Sequence, residues 1–321
     1  MAHQRATWRP PMRDGVSASC VALPQPSATA HWPLLLDFLA ERLKTVPHAQ
    51  WQARMQRGEV LSETGAPLSP DTPYAALAVQ QPQARVYYYR AIELEARIPF
   101  EAHVLFEDEH VLVADKPHFL PVLPSGRFVR ETLLVRLKAQ TGLEDLSPIH
   151  RIDRETAGLV VFCKRTQDRH AYQALFVSQA VHKTYLAVAP WQAHLEKTLA
   201  EPLVHQSRIE PDTLFFRQQE VSGPPNSETH LAMRKHWDAP NNKLALYQLH
   251  PRTGKTHQLR VHMNALGAPI MGDQLYPEVK HAAGVDDFTQ PLQLLAHSIA
   301  FTDPVTGQAR AFESQRHLDT L

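Results

Sequence analysis

Residues 157–163, AGLVVFC, form an unbroken apolar run. A stretch of that length with no polar side chain reads as a buried strand. Other strand signals surround it. HVLFEDEHVLVADKP (103–117) holds two apolar runs split by an acidic turn. KTYLAVAP (183–190), LALYQLHP (244–251) and LLAHSIAF (294–301) read as further strands, and 86–95 as a short one. Helical spacing appears over 33–44, where Leu35, Phe38, Leu39 and Leu43 share a face, and over 47–57, with Gly58 as its stop. It returns over 131–140, 166–180 and 256–267. Residues 69–83, punctuated by Pro70, Pro73 and Pro82, read as loop or edge, and 191–243 as irregular around the turn GPPNSE. Strands and helices mix without strict βαβ alternation. The predicted class is α+β with a mixed, largely antiparallel central sheet.

A chain of 321 residues suits one large domain with a small additional module. Residues 1–31, rich in Pro, Ser and Ala, read as a disordered tail, 32–95 as a small N-terminal module, and 96–321 as the main domain. No apolar stretch reaches the length of a membrane span, and the first thirty residues lack the apolar run of a signal peptide. Cys20 and Cys163 form neither a CxxC pair nor a disulfide framework, which suits a reducing cytosol and argues against a cysteine-built zinc site. The formal net charge is zero, so any basic surface must be local.

Two segments concentrate chemistry. HRIDRETAG (150–158) sets Asp153 between Arg151 and Arg154, just before the apolar strand. Taken alone this suits a surface ion-pair loop as well as a site. A nearby arginine favours a carboxylate's charged form, and an ionised aspartate can act as nucleophile or base. RTGKTHQLRVH (252–262) packs Arg252, Lys255, His257 and Arg260 around a glycine turn entering a helix, which suits a phosphate. It lacks the second glycine of a Walker loop, and His257 and His262 are spaced wrongly to share a metal on one helix face. The expectation is no metal and no cofactor. Lys183-Thr184-Tyr185-Leu186 taken alone is a strand with a packing aromatic.

Together and in order, these segments resemble the RluA-type pseudouridine synthases, over about residues 102–315. HRIDRETAGLVVFCK matches the family's central motif, which implies that Asp153 is catalytic and that Arg151 fills the space left by a flipped base. KTYLA matches the motif that supplies an active-site tyrosine, here Tyr185. HPRTGKTHQLRVHMNALGAPIMGD matches the motif whose arginine pairs with the catalytic carboxylate, here Arg260. VLFEDEHVLVADKPHFLPVLP resembles the entry strand and its Lys116-Pro117 turn, and LLAHSIAFTDPVTG the closing strand. Ala157, Lys255 and Leu295 depart from the family's usual Ser, Arg and His. Residues 34–75 faintly resemble the alpha-L RNA-binding module, although Glu59 and Glu63 reduce the expected basic surface.

The resemblance implies isomerisation of uridine to pseudouridine in structured RNA, ribosomal or transfer, by a cytoplasmic monomer acting without a cofactor. Catalysis would fall to Asp153, Tyr185 and Arg260, and RNA binding to Arg151, Arg154, Arg252, Lys255 and His257. Two other readings compete. One is a catalytically silent RNA-binding protein on the same fold. The other is a glycoside hydrolase using Asp153 and Glu155 as a carboxylate pair.

Overall fold

The computed structural model describes residues 8–25, 32–78, 84–89, 95–240, 242–280 and 287–318. The chain divides into two compact units. One comprises Met1–Glu95 with Val135–Glu144, the other Ala96–Leu134 with Asp145–Leu321.

The first unit holds β1 (Ser19–Ala22), α1 (Leu35–Arg42), α2 (His48–Gln56), β2 (Val60–Leu61), α3 (Tyr74–Ala78) and β3 (Arg85–Tyr88), its strands ordered β1-β3-β2. The predicted apolar face of α1 is the one it buries: Leu35, Phe38 and Leu39 pack with Trp51 and Met55 of α2. The Asp37 carboxylate accepts from the Leu34 N–H and satisfies a donor the helix cannot. Gly58 ends α2's turn at φ +70°.

Three expectations change in this unit. Within the supposed tail, residues 1–7 and 26–31 lie outside the described residues, but residues 8–25 are structured. There β1 pairs antiparallel with β3, and Val16 and Leu23 are buried, so these few apolar residues find partners distant in sequence. The segment 69–83 contains α3, because Pro73 stands just before its first turn, where proline's fixed φ favours a helix start. Tyr74 is buried there, its hydroxyl donating to the Pro24 carbonyl at 2.7 Å. Residues 135–144 also group with this unit rather than with 96–321. A Cβ on Gly15 would lie 2.3 Å from the Val135 carbonyl oxygen, and Lys138 Nζ donates to Ser17 Oγ at 3.0 Å.

The second unit is built on one large sheet. In chain order the elements are β4 (His103–Glu107), β5 (Val111–Lys116), α4 (Leu133–Thr141, most of which groups with the first unit), β6 (Ser147–Pro148), β7 (Ala157–Cys163), α5 (Arg169–Val177), β8 (His182–Pro190), β9 (Leu203–Pro211), β10 (Gln218–Val221), β11 (Ser227–Asp238), β12 (Lys243–Pro251), α6 (Gln258–Ala265), β13 (Leu294–Thr302) and β14 (Ala309–Glu313). The strand order is β10-β9-β11-β12-β8-β13-β7-β5-β4, with β14 on β13 and β6 on β7. Among the described residues every pairing in this sheet is antiparallel except β7 with β13. All seven residues of β7 are buried, as its apolar run requires.

The segment 191–243 is not irregular. It supplies β9, β10 and β11, whose burial alternates along much of their length because one face stays open to solvent. Polar side chains occupy alternate positions, so no continuous apolar run marks these strands in the sequence.

Candidate active site

The loop between β6 and β7 carries Asp153. It emerges where β7 meets β13, and Gly158 makes that meeting possible: at φ +109°, a Cβ there would sit 2.3 Å from the Ala296 carbonyl oxygen. The turn after β5 holds the loop. Lys116 Nζ, fully buried, donates to the Arg154 carbonyl at 3.0 Å and to the Pro117 carbonyl at 2.9 Å. His118 Nδ1 lies 2.6 Å from the Glu155 carbonyl oxygen, and Arg154 Nε donates to the Phe119 carbonyl at 3.0 Å. His150, at the loop's start, accepts the Val161 N–H through Nε2 at 3.1 Å and stacks on Phe176. Burial, with the Lys183 charge second, lowers its pKa to about 3, so it is a neutral structural support.

Helix α6 approaches Asp153 with Arg260. This arginine is buried, and its Nη1 donates to Asp153 at 3.4 Å and lies 3.8 Å from Glu155. Its shorter bonds go to Asp273: Nε donates to Oδ2 at 2.8 Å and Nη2 to Oδ1 at 2.7 Å. Asp273 is equally buried and also accepts from the Leu275 and Tyr276 backbone N–H groups. Burial alone would lower Arg260's pKa, but the hydrogen bonds and charge of Asp273, then the charges of Asp153 and Glu155, reverse this and raise it. The tight ion pair is therefore Arg260–Asp273, and Asp153 sits at the outer edge of a cation that is already fixed.

A cavity of about 620 Å³ opens over Asp153, large enough for a nucleotide. Tyr185 lines it from β8, and Arg151, Arg252, Lys255, His257 and Arg260 also contribute to its wall. Arg151, Arg252 and Lys255 are exposed. Burial, then the charge of Asp153, raises the Tyr185 pKa above its ordinary 10, so its hydroxyl keeps its proton. His257 caps α6 in a left-handed conformation, φ 55°. Burial dominates and lowers its pKa, so at neutral pH it acts as a hydrogen-bonding group rather than a cation. Tyr276 donates its hydroxyl proton to the Gln218 carbonyl at 3.0 Å, so the His257 Nδ1–H, 3.1 Å away, donates to the Tyr276 oxygen.

Seven of the eight predicted site residues thus line one cavity. Arg154 does not: its guanidinium turns to the Phe119 carbonyl, the Phe128 ring and Glu155, so it braces the loop. Glu155 is likewise absent from the cavity wall and faces Arg154 and Arg260. Sequence reasoning missed Lys183, which lines the cavity, and the supports Lys116, His118 and Asp273. Lys116 and Asp273 stand inside quoted motifs but carried no assigned role. Among the described residues His205, Glu220 and His262 bring candidate ligand atoms within 4.8 Å of one another, a grouping that the sequence pattern does not mark. Its members sit on three elements distant in sequence, β9, β10 and α6, so no spacing along the chain connects them.

The sequence pattern of the family described as RNA pseudouridylate synthase matches residues 110–265. The chain is 31% identical over 205 residues to the dual-specificity RNA pseudouridine synthase RluA of Vibrio parahaemolyticus, spanning 63% of this chain and 78% of that one. It belongs to the RluA family of RNA pseudouridine synthases. The ribosomal large subunit pseudouridine synthase C of Haemophilus ducreyi is 29% identical over 300 residues, covering 89% of each protein. Human RNA pseudouridylate synthase domain containing 1 shares the fold, with a TM-score of 0.53 and 21% identity over 67% of this chain and 84% of that one. The synthase is an isomerase that converts uridine to pseudouridine in RNA. Among its described residues no helix is long and apolar enough to cross a membrane.

Proposed function

We propose that Asp153 initiates cleavage of the N1–C1′ bond of a uridine flipped into this cavity, while Arg260 fixes the carboxylate and Tyr185 stacks on the base. The observation that carries the reading is the placement of Asp153 in the cavity wall with Arg260 3.4 Å away and Tyr185 lining the same space. A stacked uridine hides its glycosidic bond, so extrusion comes first, at a cost of about a few kcal/mol. Arg151 occupies the vacated space. The detached uracil turns, C5 bonds to C1′, C5 loses its proton and N1 gains one. No atom or electron is gained or lost overall, so the reaction calls for no redox partner or energy input.

Arg252 and Lys255, with Arg151, face the flanking phosphates, and His257 offers a neutral hydrogen bond. The substrate is structured RNA, ribosomal or transfer, read at a loop or bulge where extrusion is least costly. In this reading the unit of residues 96–134 and 145–321 is catalytic, the unit of residues 1–95 and 135–144 tunes RNA affinity or site choice, and the synthase works as a cytoplasmic monomer. The glycoside hydrolase reading needs Glu155 in the cavity, which it does not line. Asp153→Asn tests the proposal: uridine conversion in RNA should vanish while RNA affinity and folding persist. Near-normal conversion would sink it.

A further inference from the structure

Two residues past Arg260, a rotation of about 200° carries His262 to the opposite side of α6 from the cavity. His262 is buried there, beneath β9, β10 and β11. Its Nε2 lies 4.0 Å from Glu220 Oε1, and the same oxygen is 2.7 Å from His205 Nε2. All three candidate ligand atoms fall within 4.8 Å of one another. A cross-strand ion pair beside a core histidine would explain part of this arrangement. It does not explain why three donors from three elements converge on one point.

We infer that His205, Glu220 and His262 form a zinc site that clasps the β9–β10 hairpin to α6. Zinc bonds of about 2.0–2.2 Å in tetrahedral geometry set ligand atoms about 3.4 Å apart. The spacings from Glu220, 2.7 and 4.0 Å, lie on either side of that value and the two histidines stand within 4.8 Å, so side-chain rotations can close the site. Two imidazoles and one carboxylate suit zinc rather than magnesium or calcium, which prefer all-oxygen shells. His205 and Glu220 are partly exposed, which gives the ion a route in and leaves the fourth position to water.

One tautomer of His262 suits ligation. His262 Nδ1 is 2.9 Å from Thr229 Oγ1, and an N–H there can donate to it, leaving the Nε2 lone pair for the ion. Two hydroxyls stand beside Nε2: Ser227 Oγ at 2.9 Å, which donates its own proton to the Ser207 carbonyl at 2.7 Å, and Ser207 Oγ at 3.1 Å, which the ion would displace from that lone pair. The clasp also bears on the active site. Beside the turn of the same hairpin the Gln218 backbone is bonded to Tyr276, whose hydroxyl meets His257 in the cavity wall.

The test uses the untagged full chain, stripped with a chelator and titrated with zinc chloride by calorimetry. One equivalent should bind, and millimolar magnesium or calcium should neither bind nor compete. His205→Ala and Glu220→Gln should each weaken binding roughly tenfold or more. Zinc should raise the melting temperature of the unaltered protein but of neither variant. Metal-free melts of the variants matching the metal-free parent establish that they fold, and Glu220→Gln keeps the shape should His205→Ala fail. With 19 histidines in the chain, zinc could bind elsewhere. Unchanged affinity in both variants would place the ion elsewhere and overturn the inference, as would no binding at all.

Discussion

Replacing Asp273 by Asn should cost more stability than any change at the rim of the cavity. Asp273 accepts two charged hydrogen bonds from Arg260 at 2.7 and 2.8 Å and two from backbone N–H groups, and both partners are buried. Breaking a buried pair by removing one charge costs about 3–5 kcal/mol, because the remaining ion stays desolvated and uncompensated. For a domain of this size each kcal/mol moves the midpoint by about 2–4 °C, so the melt should fall by roughly 6–20 °C. Conversion should fall as well, since Arg260 would turn toward Asp153 and Glu155, 3.4 and 3.8 Å from its Nη1, and draw the loop out of register. Arg260→Met with Asp273→Leu removes both ions. It should recover much of the lost stability and none of the activity, because the two sites are coupled rather than additive. Melts of the two single variants and the double variant, beside conversion in RNA, decide the matter. If Asp273→Asn melts within about a degree of the parent and converts uridine normally, Arg260 is not held as argued.

Glu155→Gln should retain most activity, since that carboxylate does not line the cavity, and complete loss with unchanged folding would return the two-carboxylate reading. RNA affinity should fall with salt despite the zero net charge: three cavity cations, Arg151, Arg252 and Lys255, give a log–log slope near −2 at about 0.7 per phosphate on single strands, and a flat dependence would refute a local basic mouth. Burial lowers the Lys116 pKa to about 7, more than Asp153 and Glu155 raise it, whereas the unfolded chain keeps that lysine protonated to its ordinary 10.5. The unfolded state then binds the extra proton between those values, so stability should rise from pH 7 to 9.5 by melt, and Lys116→Met should flatten that rise. Above pH 10 the sign reverses, because buried Tyr74, Tyr172 and Tyr247 and half-buried Tyr185 hold their protons in the folded state beyond the usual phenol range.

The strands that a sequence announces are those buried on both faces. AGLVVFC and the second run of 103–117, β5, were legible for that reason, and they are the strands that hold the Asp153 loop, whereas β4 is only half-buried and is marked by its short apolar run. Strands β9 and β11 hide because their outward positions carry His, Gln, Arg, Lys and Glu, and only their neighbours in the sheet make them regular. The same limit explains the site. Asp153, Tyr185 and Arg260 stand in contiguous motifs, whereas the groups that hold them act across distance: Lys116 lies 38 residues from the carbonyl it caps. Asp273 is 13 residues from Arg260 and follows the helix by a turn that no periodicity marks.

That division separates the charges by task. The cations at the mouth, Arg151, Arg252 and Lys255, are exposed and can exchange their counterions for phosphates. Arg260 beneath is committed to carboxylates and inaccessible to phosphate. A chain with no net charge can therefore bind RNA at its rim and hold Asp153 beside a buried cation at the floor. The two layers are not independent, since Arg252 and Arg260 belong to one segment turning through Gly254 into α6. Substituting the rim should weaken binding while leaving turnover at saturating RNA, and substituting the floor should do the reverse. Equal losses of affinity and turnover from Arg252→Ala would show instead that the phosphate contact itself helps to seat the base.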